Sequence, residues 1–301
     1  MAHIVDAALR PSTHKSYNHH WEAFISFCRS TFDASFSPPA TPFQLNLFLT
    51  HLFKKGLQHA TILNYTSAIA HYHRLLGVTD PTSAYVVTKF LQGVKNLRPQ
   101  HQRLQPISIN ILRDLVLATS NSIAHDYNRV LFRAMMIIMY WACLRIGEVA
   151  ISAHDDHVLS LSQVKATYLN NQPTALILSF KSFKHSKGAM PRIKLKAQQD
   201  TLVCPVAALL SYLQLRPQVT SPALFVRLPG VPVSRSFFLD NLQQALQLTA
   251  HKRLALNTHS FRIGRATDLA LQGTSDIYIQ RLGRWSSNAY KKYVRPYTIS
   301  S

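Results

Sequence analysis

Apolar residues recur at three- and four-residue spacing through the first hundred positions and in shorter, mixed patterns afterwards. After a Ser12-Thr13 cap, Tyr17, Trp21, Phe24, Ile25 and Cys28 fall on one helical face. Pro38-Pro39-Ala40-Thr41-Pro42 breaks the chain before a second helix led by Leu45, Phe48, Leu49 and Leu52 and closed by Gly56. A third helix is predicted over 61–76 through Ile62, Tyr65, Ile69, Tyr72 and Leu76, ended by Gly77; a fourth covers 86–97 with Phe90 and Leu91 inward. Four short helices with one apolar face each must bury those faces together, which predicts a compact bundle.

The second half mixes periods. Helices are predicted over 109–119, 127–151, 205–215, 237–248 and 261–271, with Met135, Met136 and Met139 in the core. Residues 175–180 and 192–195 read as two strands around a Lys-rich turn, a hairpin with an exposed basic tip. Arg98-Pro99-Gln100-His101-Gln102-Arg103 reads as a linker. The expected organisation is a helical domain over 1–98, a linker at 99–103 and a mixed α+β domain over 104–301. The fold class is mainly α with a small β-hairpin or sheet.

Charge sharpens the picture. The 301 residues carry 33 Lys and Arg against 13 Asp and Glu, a net of +20, and a basic folded chain points to a polyanionic partner. Residues 1–100 hold 9 basic and 4 acidic side chains, whereas 101–301 hold 24 and 9, so the polyanion should lie mainly against the second half. Cys28, Cys143 and Cys204 are odd in number and far apart, which fits a reducing compartment rather than a disulfide frame. The longest apolar run, 135–144, is too short to span a bilayer. A soluble intracellular protein with no membrane partner is expected.

Three polar constellations carry candidate chemistry. In Trp141-Ala142-Cys143-Leu144-Arg145-Ile146-Gly147-Glu148, an arginine follows an apolar helix with a carboxylate three residues on; the two can form a simple structural pair. In His259-Ser260-Phe261-Arg262, imidazole and guanidinium share one face near a helix start, whose positive end favours phosphate; a surface pair reads the same way. In the tail, Gly283-Arg284-Trp285 precedes Tyr290 and Tyr293 in a segment free of carboxylates; alone, these aromatics read as core residues. His19-His20 and His71/His73 lack the Cys or carboxylate neighbours of a metal site, so no metal is expected.

The order Arg145, Lys-bearing hairpin, His259, Arg262, Trp285, Tyr293 resembles the tyrosine recombinase (phage integrase) family across essentially the whole chain. Residues 8–98, including Thr61-Ile62-Leu63-Asn64-Tyr65, look like its helical, SAM-like core-binding domain, and 103–301 like its catalytic domain. Lys184-His185-Ser186 and Gly283-Arg284-Trp285 look closest to eukaryotic mobile-element recombinases of the Crypton and DIRS kind, which implies a nuclear location. The resemblance implies DNA strand cleavage and rejoining on double-stranded DNA by a dimer to tetramer. It assigns Arg145, Lys184, His259, Arg262, Trp285 and Tyr293 as catalytic.

Two assignments stay open. Lys181 follows the first strand directly and competes with Lys184. Trp285 lies eight residues before Tyr293 where the family more usually shows nine, so Tyr290 remains an alternative nucleophile. Lys181, Lys187, Arg265, Arg284, Lys291 and Lys292 are expected to contact DNA phosphates.

The chemistry agrees with these residue types. A tyrosine titrates near pH 10 and needs a base or positive field to attack phosphorus. Two arginines can grip a phosphate and stabilise its added charge without a metal. A lysine can protonate the leaving oxygen while His259 takes the tyrosine proton. Energy stored in a phosphotyrosyl bond removes the need for ATP. The sequence has no Gly-rich loop ending in Lys-Ser/Thr, no Cys-x-x-Cys and no carboxylate set for two metals, so no cofactor is expected. The competing readings are a catalytically silent DNA-binding protein derived from a mobile-element recombinase and a type IB topoisomerase-like relaxer.

Overall fold

The computed structural model describes residues 8–9, 11–97, 103–151, 157–181, 190–285 and 287–295, and the chain divides into two compact units, Met1–His101 and Gln102–Ser301. The first unit holds four helices: α1 (Pro11–Thr31), α2 (Pro42–Lys54), α3 (His59–Leu75) and α4 (Tyr85–Leu97). Pro11 starts α1, so Ser12 and Thr13 lie inside the helix rather than capping it; proline suits a first turn whose N–H has no partner. A capping box starts α2: the Gln44 N–H donates to Thr41 Oγ1 at 3.2 Å, and the Thr41 N–H donates to Gln44 Oε1 at 2.8 Å. Gly56 and Gly77, at φ +86° and +69°, turn the chain out of α2 and α3.

Phe24 and Cys28 of α1, Leu45, Phe48, Leu49 and Leu52 of α2, Ile62 and Ile69 of α3, and Val87 and Val94 of α4 form one core. Phe90 and Leu91, expected inward on α4, are only half-buried against it; the valines one turn to either side occupy the centre.

The second unit is built on α5 (Ile109–Ser122), α6 (Asp126–Trp141), α7 (Pro205–Leu215), α8 (Arg235–Gln247), α9 (Thr258–Leu271) and α10 (Asp276–Gly283). Helix α6 packs against α7 and α9, and α5 against α8. Met135, Met136 and Met139 of α6 are fully buried. The helix predicted over 127–151 ends at Trp141. Cys143 then adopts a left-handed backbone at φ +53°, and Arg145 is extended ahead of a 3₁₀ turn, Ile146–Glu148.

A three-stranded antiparallel sheet, β1 (Val164–Leu169), β2 (Gln172–Ser179) and β3 (Arg192–Lys196), lies beside α7. Leu176 pairs with Leu195 and Leu178 with Ile193, all four buried, while Lys194 and Lys196 alternate outward. The first strand was not expected; it joins β2 through Asn170-Asn171, both at positive φ as a tight hairpin requires. The Lys-rich turn after β2, with Lys184 and Lys187, lies outside the described residues. Among the described residues, no helix is long and apolar enough to cross a membrane.

Candidate active site

Three segments converge in the second unit: the turn after α6, the first turns of α9, and the chain following α10. Asn257 starts α9, its side chain accepting the His259 N–H at 2.7 Å. That start sets His259 half-buried and Arg262, one turn on, fully buried at 0% exposure.

The Arg262 guanidinium is held by main chain from the other two segments. Its Nη1 donates to the Cys143 carbonyl, and its Nη2 to the Gly283 carbonyl at 3.1 Å. Above it lie the rings of Trp285 and Tyr293, 4.8 and 5.6 Å from its central carbon. Those two rings are 4.7 Å apart, and His259 lies 5.0 Å from Tyr293. Gly283 allows this packing, since a Cβ there would sit 1.9 Å from the Trp285 ring. Thr267, two turns along α9 from His259, fixes the tail: its Oγ1 donates to the Tyr293 carbonyl at 3.2 Å and accepts the Arg295 N–H at 3.1 Å.

Arg145 completes the group. It feels Arg262 and Tyr293 electrostatically, and burial followed by repulsion from Arg262 holds its guanidinium below the usual arginine range. Its link to Glu148 is long, Nη1 to Oε1 at 3.7 Å. Glu148 instead accepts the Arg145 backbone N–H and Arg284 Nη2 through Oε2, each at 2.7 Å. The structural partner of Glu148 is therefore Arg284, and the Arg145 guanidinium is left loosely held.

Several buried donors here have no hydrogen-bond partner among the described residues: Arg145 Nη1, Arg262 Nε and Trp285 Nε1. Unmet buried donors are costly, and donors of this kind suit an anion. His259 is pushed down from 6.5 to about 4, first by burial and then by Arg262, Arg145 and Arg295, so its imidazole is neutral at pH 7 and able to accept a proton.

Other expected residues fall elsewhere. Tyr290 is buried at 2% exposure with its ring centroid 6.5 Å from that of Trp285, and a hydrogen bond to Asp276 raises its phenol to about 12. Arg284 and Arg265, expected at phosphates, both turn inward. Arg284 is 7% exposed and burial brings it down to about 10, against the pull of Glu148. Arg265 lies 4.2 Å from the Trp141 ring and 5.5 Å from that of Tyr140. Lys181, Lys291 and Lys292 are exposed. Lys181 directly follows Phe180 at the end of β2; Lys184 and Lys187 are outside the described residues. Among the described residues, no three His, Cys, Asp or Glu side chains gather as metal ligands.

No family model matches the chain. No curated protein matches it either. Solved structures do. The XerH site-specific recombinase in a post-cleavage complex with a palindromic difH substrate superposes with a TM-score of 0.68 at 16% identity, covering 93% of this chain and 75% of that one. The Tn1549 transposon integrase with circular intermediate DNA gives 0.63 at 13%, covering 96% and 91%. A lambda integrase dimer on a COC′ core site gives 0.61 at 12%, covering 96% and 73%. At such identities the likeness is one of fold: the chain has the tyrosine recombinase fold.

Proposed function

We propose that this protein cleaves and rejoins double-stranded DNA through a covalent 3′-phosphotyrosyl intermediate, with Tyr293 as nucleophile. The observation that carries the reading is the gathering of Arg145, His259, Arg262, Trp285 and Tyr293 around partnerless buried donors. Proteins of the same fold act on DNA in the complexes named above.

In this reading the scissile phosphate enters between Arg145, Arg262 and Trp285. Neutral His259 accepts the phenolic proton as Tyr293 Oη attacks phosphorus. The arginines and the indole N–H stabilise the extra charge on the non-bridging oxygens. The bond to the 5′ oxygen breaks, and that oxygen takes a proton from Lys184 or Lys181. Rejoining reverses the steps: a 5′ hydroxyl attacks the phosphotyrosine and Tyr293 recovers its proton from His259. Lys187, Lys291 and Lys292 would hold the flanking backbone as a salt-sensitive, sequence-independent contact. Residues 1–98 would add a second DNA-binding domain, and two to four copies would pair the sites. No metal, cofactor or ATP enters. The resemblance of the motifs to eukaryotic mobile-element recombinases implies an enzyme of a mobile element that works in a nucleus.

One observation favours a second reading, a catalytically silent DNA-binding descendant. Arg262 has no exposed surface, and its two amino groups already serve carbonyls. Nicked suicide duplexes of randomised sequence separate the two. The cleavage reading expects an SDS-resistant protein–DNA adduct, abolished by Tyr293→Phe with salt-sensitive binding kept and unaffected by Tyr290→Phe. No adduct from wild type on any duplex would establish the silent reading.

A further inference from the structure

Arg284 was expected on the DNA, yet its side chain bridges three chain segments within the second unit. Nη2 bonds Glu148 Oε2 at 2.7 Å. Nη1 donates to the carbonyls of Leu282, at 3.1 Å, and Ala142, at 3.3 Å. Its central carbon lies 4.3 Å from the Phe180 ring. Phe180 immediately precedes Lys181, and its N–H donates to the Pro191 carbonyl at 3.1 Å. One guanidinium thus meets the Arg145 turn, the end of α10 that leads to Trp285, and the strand end that leads to the lysines. Its backbone is left-handed at φ +55°, a conformation rare for arginine, which brings the side chain back under the helix it ends.

Glu148 lies between two arginines and is claimed unequally. Its Oε2 bonds Arg284; its Oε1 has no hydrogen-bond partner among the described residues and faces Arg145 Nη1 at 3.7 Å. Without Arg284, the full carboxylate charge would turn to Arg145, and a paired arginine–carboxylate fork would close there. Arg145 would then be neutralised and turned from any anion beside Arg262.

We propose that Arg284 is a positioning residue that holds Glu148 away from Arg145 and thereby keeps the Arg145 guanidinium available to a phosphodiester. The inference rests on the cleavage reading above. It concerns how the site is kept open rather than which groups react.

The test compares Arg284→Met with the double variant Arg284→Met/Glu148→Gln in the full chain. Single-turnover adduct formation at saturating duplex should fall about 100-fold in the single variant, the loss of one transition-state donor, with duplex affinity unchanged. The double variant, whose neutral amide no longer captures Arg145, should recover about ten-fold or more of that loss. A purely structural or DNA-contacting Arg284 predicts no recovery. Absence of recovery, or a wild-type rate in the single variant, overturns the proposal. If Arg284→Met does not fold, Arg284→Gln, which can still donate to a carbonyl, is compared with its own Glu148→Gln double in the same way. Binding of inorganic phosphate, followed by calorimetry, supplies a reading independent of cleavage. It should weaken in the single variant and return in the double. Wild type that binds phosphate without forming adduct would sink the cleavage reading and leave the positioning role standing. Adduct formation without rescue would do the reverse.

Discussion

His259 and Tyr293 face each other with ring centroids 5.0 Å apart and planes inclined at 50°. A neutral imidazole beside a phenol can take its proton; a protonated one cannot. The fold favours the neutral form by burial and by the charges of Arg262, Arg145 and Arg295, moving His259 from 6.5 to about 4. The unfolded chain therefore binds this proton first as pH falls. The contribution to stability is complete above pH 6.5 and is lost progressively between 6.5 and about 4. The full shift corresponds to about 3 kcal/mol, which screening at a partly exposed ring reduces to about 1–2 kcal/mol. Urea unfolding of wild type should weaken between pH 7.5 and 5 more steeply than that of His259→Gln. Parallel curves would show that the imidazole is not held neutral.

Gly264 lies in the middle of α9, where alanine would ordinarily favour the helix by about 1 kcal/mol. Here a Cβ would fall 1.7 Å from the Ile107 carbonyl oxygen, and that strand of backbone is tied to α9 by the Ile107 N–H donating to Ser260 O at 3.0 Å. Main chain cannot swing aside as a side-chain tip can. Gly264→Ala should destabilise the second unit by about 2–3 kcal/mol, read as a lowered urea midpoint, with the sign opposite to helix propensity. A stabilised variant would mean that α9 and the Ile107 segment are further apart.

Trp285 offers two separable properties, a ring over Arg262 and an indole N–H with no partner among the described residues. Trp285→Phe keeps most of the ring and removes the unmet donor, so thermal stability should hold or rise slightly. Single-turnover cleavage should nevertheless fall by about 10- to 100-fold if the N–H meets a phosphate oxygen in the transition state. Equal rates for phenylalanine and tryptophan would leave the ring as the only contribution.

Much of this arrangement was legible in the sequence, and the gaps have physical causes. The helices of the first unit follow from apolar spacing, and Gly56 and Gly77 mark the ends of α2 and α3 because both need positive φ. The break after Trp141 was invisible: Ala142-Cys143-Leu144 is as apolar as the helix before it, and the left-handed residue is a cysteine, not a glycine. What ends that helix is tertiary, the Arg262 and Arg284 donors drawn to the Cys143 and Ala142 carbonyls. Strand β1 lacks the alternation of a half-buried strand, though Asn170-Asn171 was a usable turn signal. The burial of Arg284 could not be read from a basic, carboxylate-free tail, because its partner Glu148 lies 136 residues earlier. Thr267 carried a weaker signal, sharing a helix with His259 and Arg262.

The two site arginines should fail differently when replaced, since one is built into the fold and the other stands beside it. Arg262 is fully buried and joins the Cys143 and Gly283 carbonyls. Arg262→Lys keeps the charge but cannot serve both, and each buried carbonyl left unmet costs about 1–3 kcal/mol. Stability and cleavage should fall together. Among the described residues, the Arg145 guanidinium makes only the 3.7 Å contact with Glu148 and is repelled by Arg262, so Arg145→Gln relieves as much as it removes. Its unfolding free energy should stay within about 1 kcal/mol of wild type, as expected for a loosely held ion pair. Cleavage should drop by about 3–4 kcal/mol of transition-state stabilisation, or roughly 100- to 1,000-fold in single-turnover rate. Paired melting and adduct measurements on the two variants decide the matter: a large stability loss in Arg145→Gln would make Arg145 a structural residue and remove it from the phosphate.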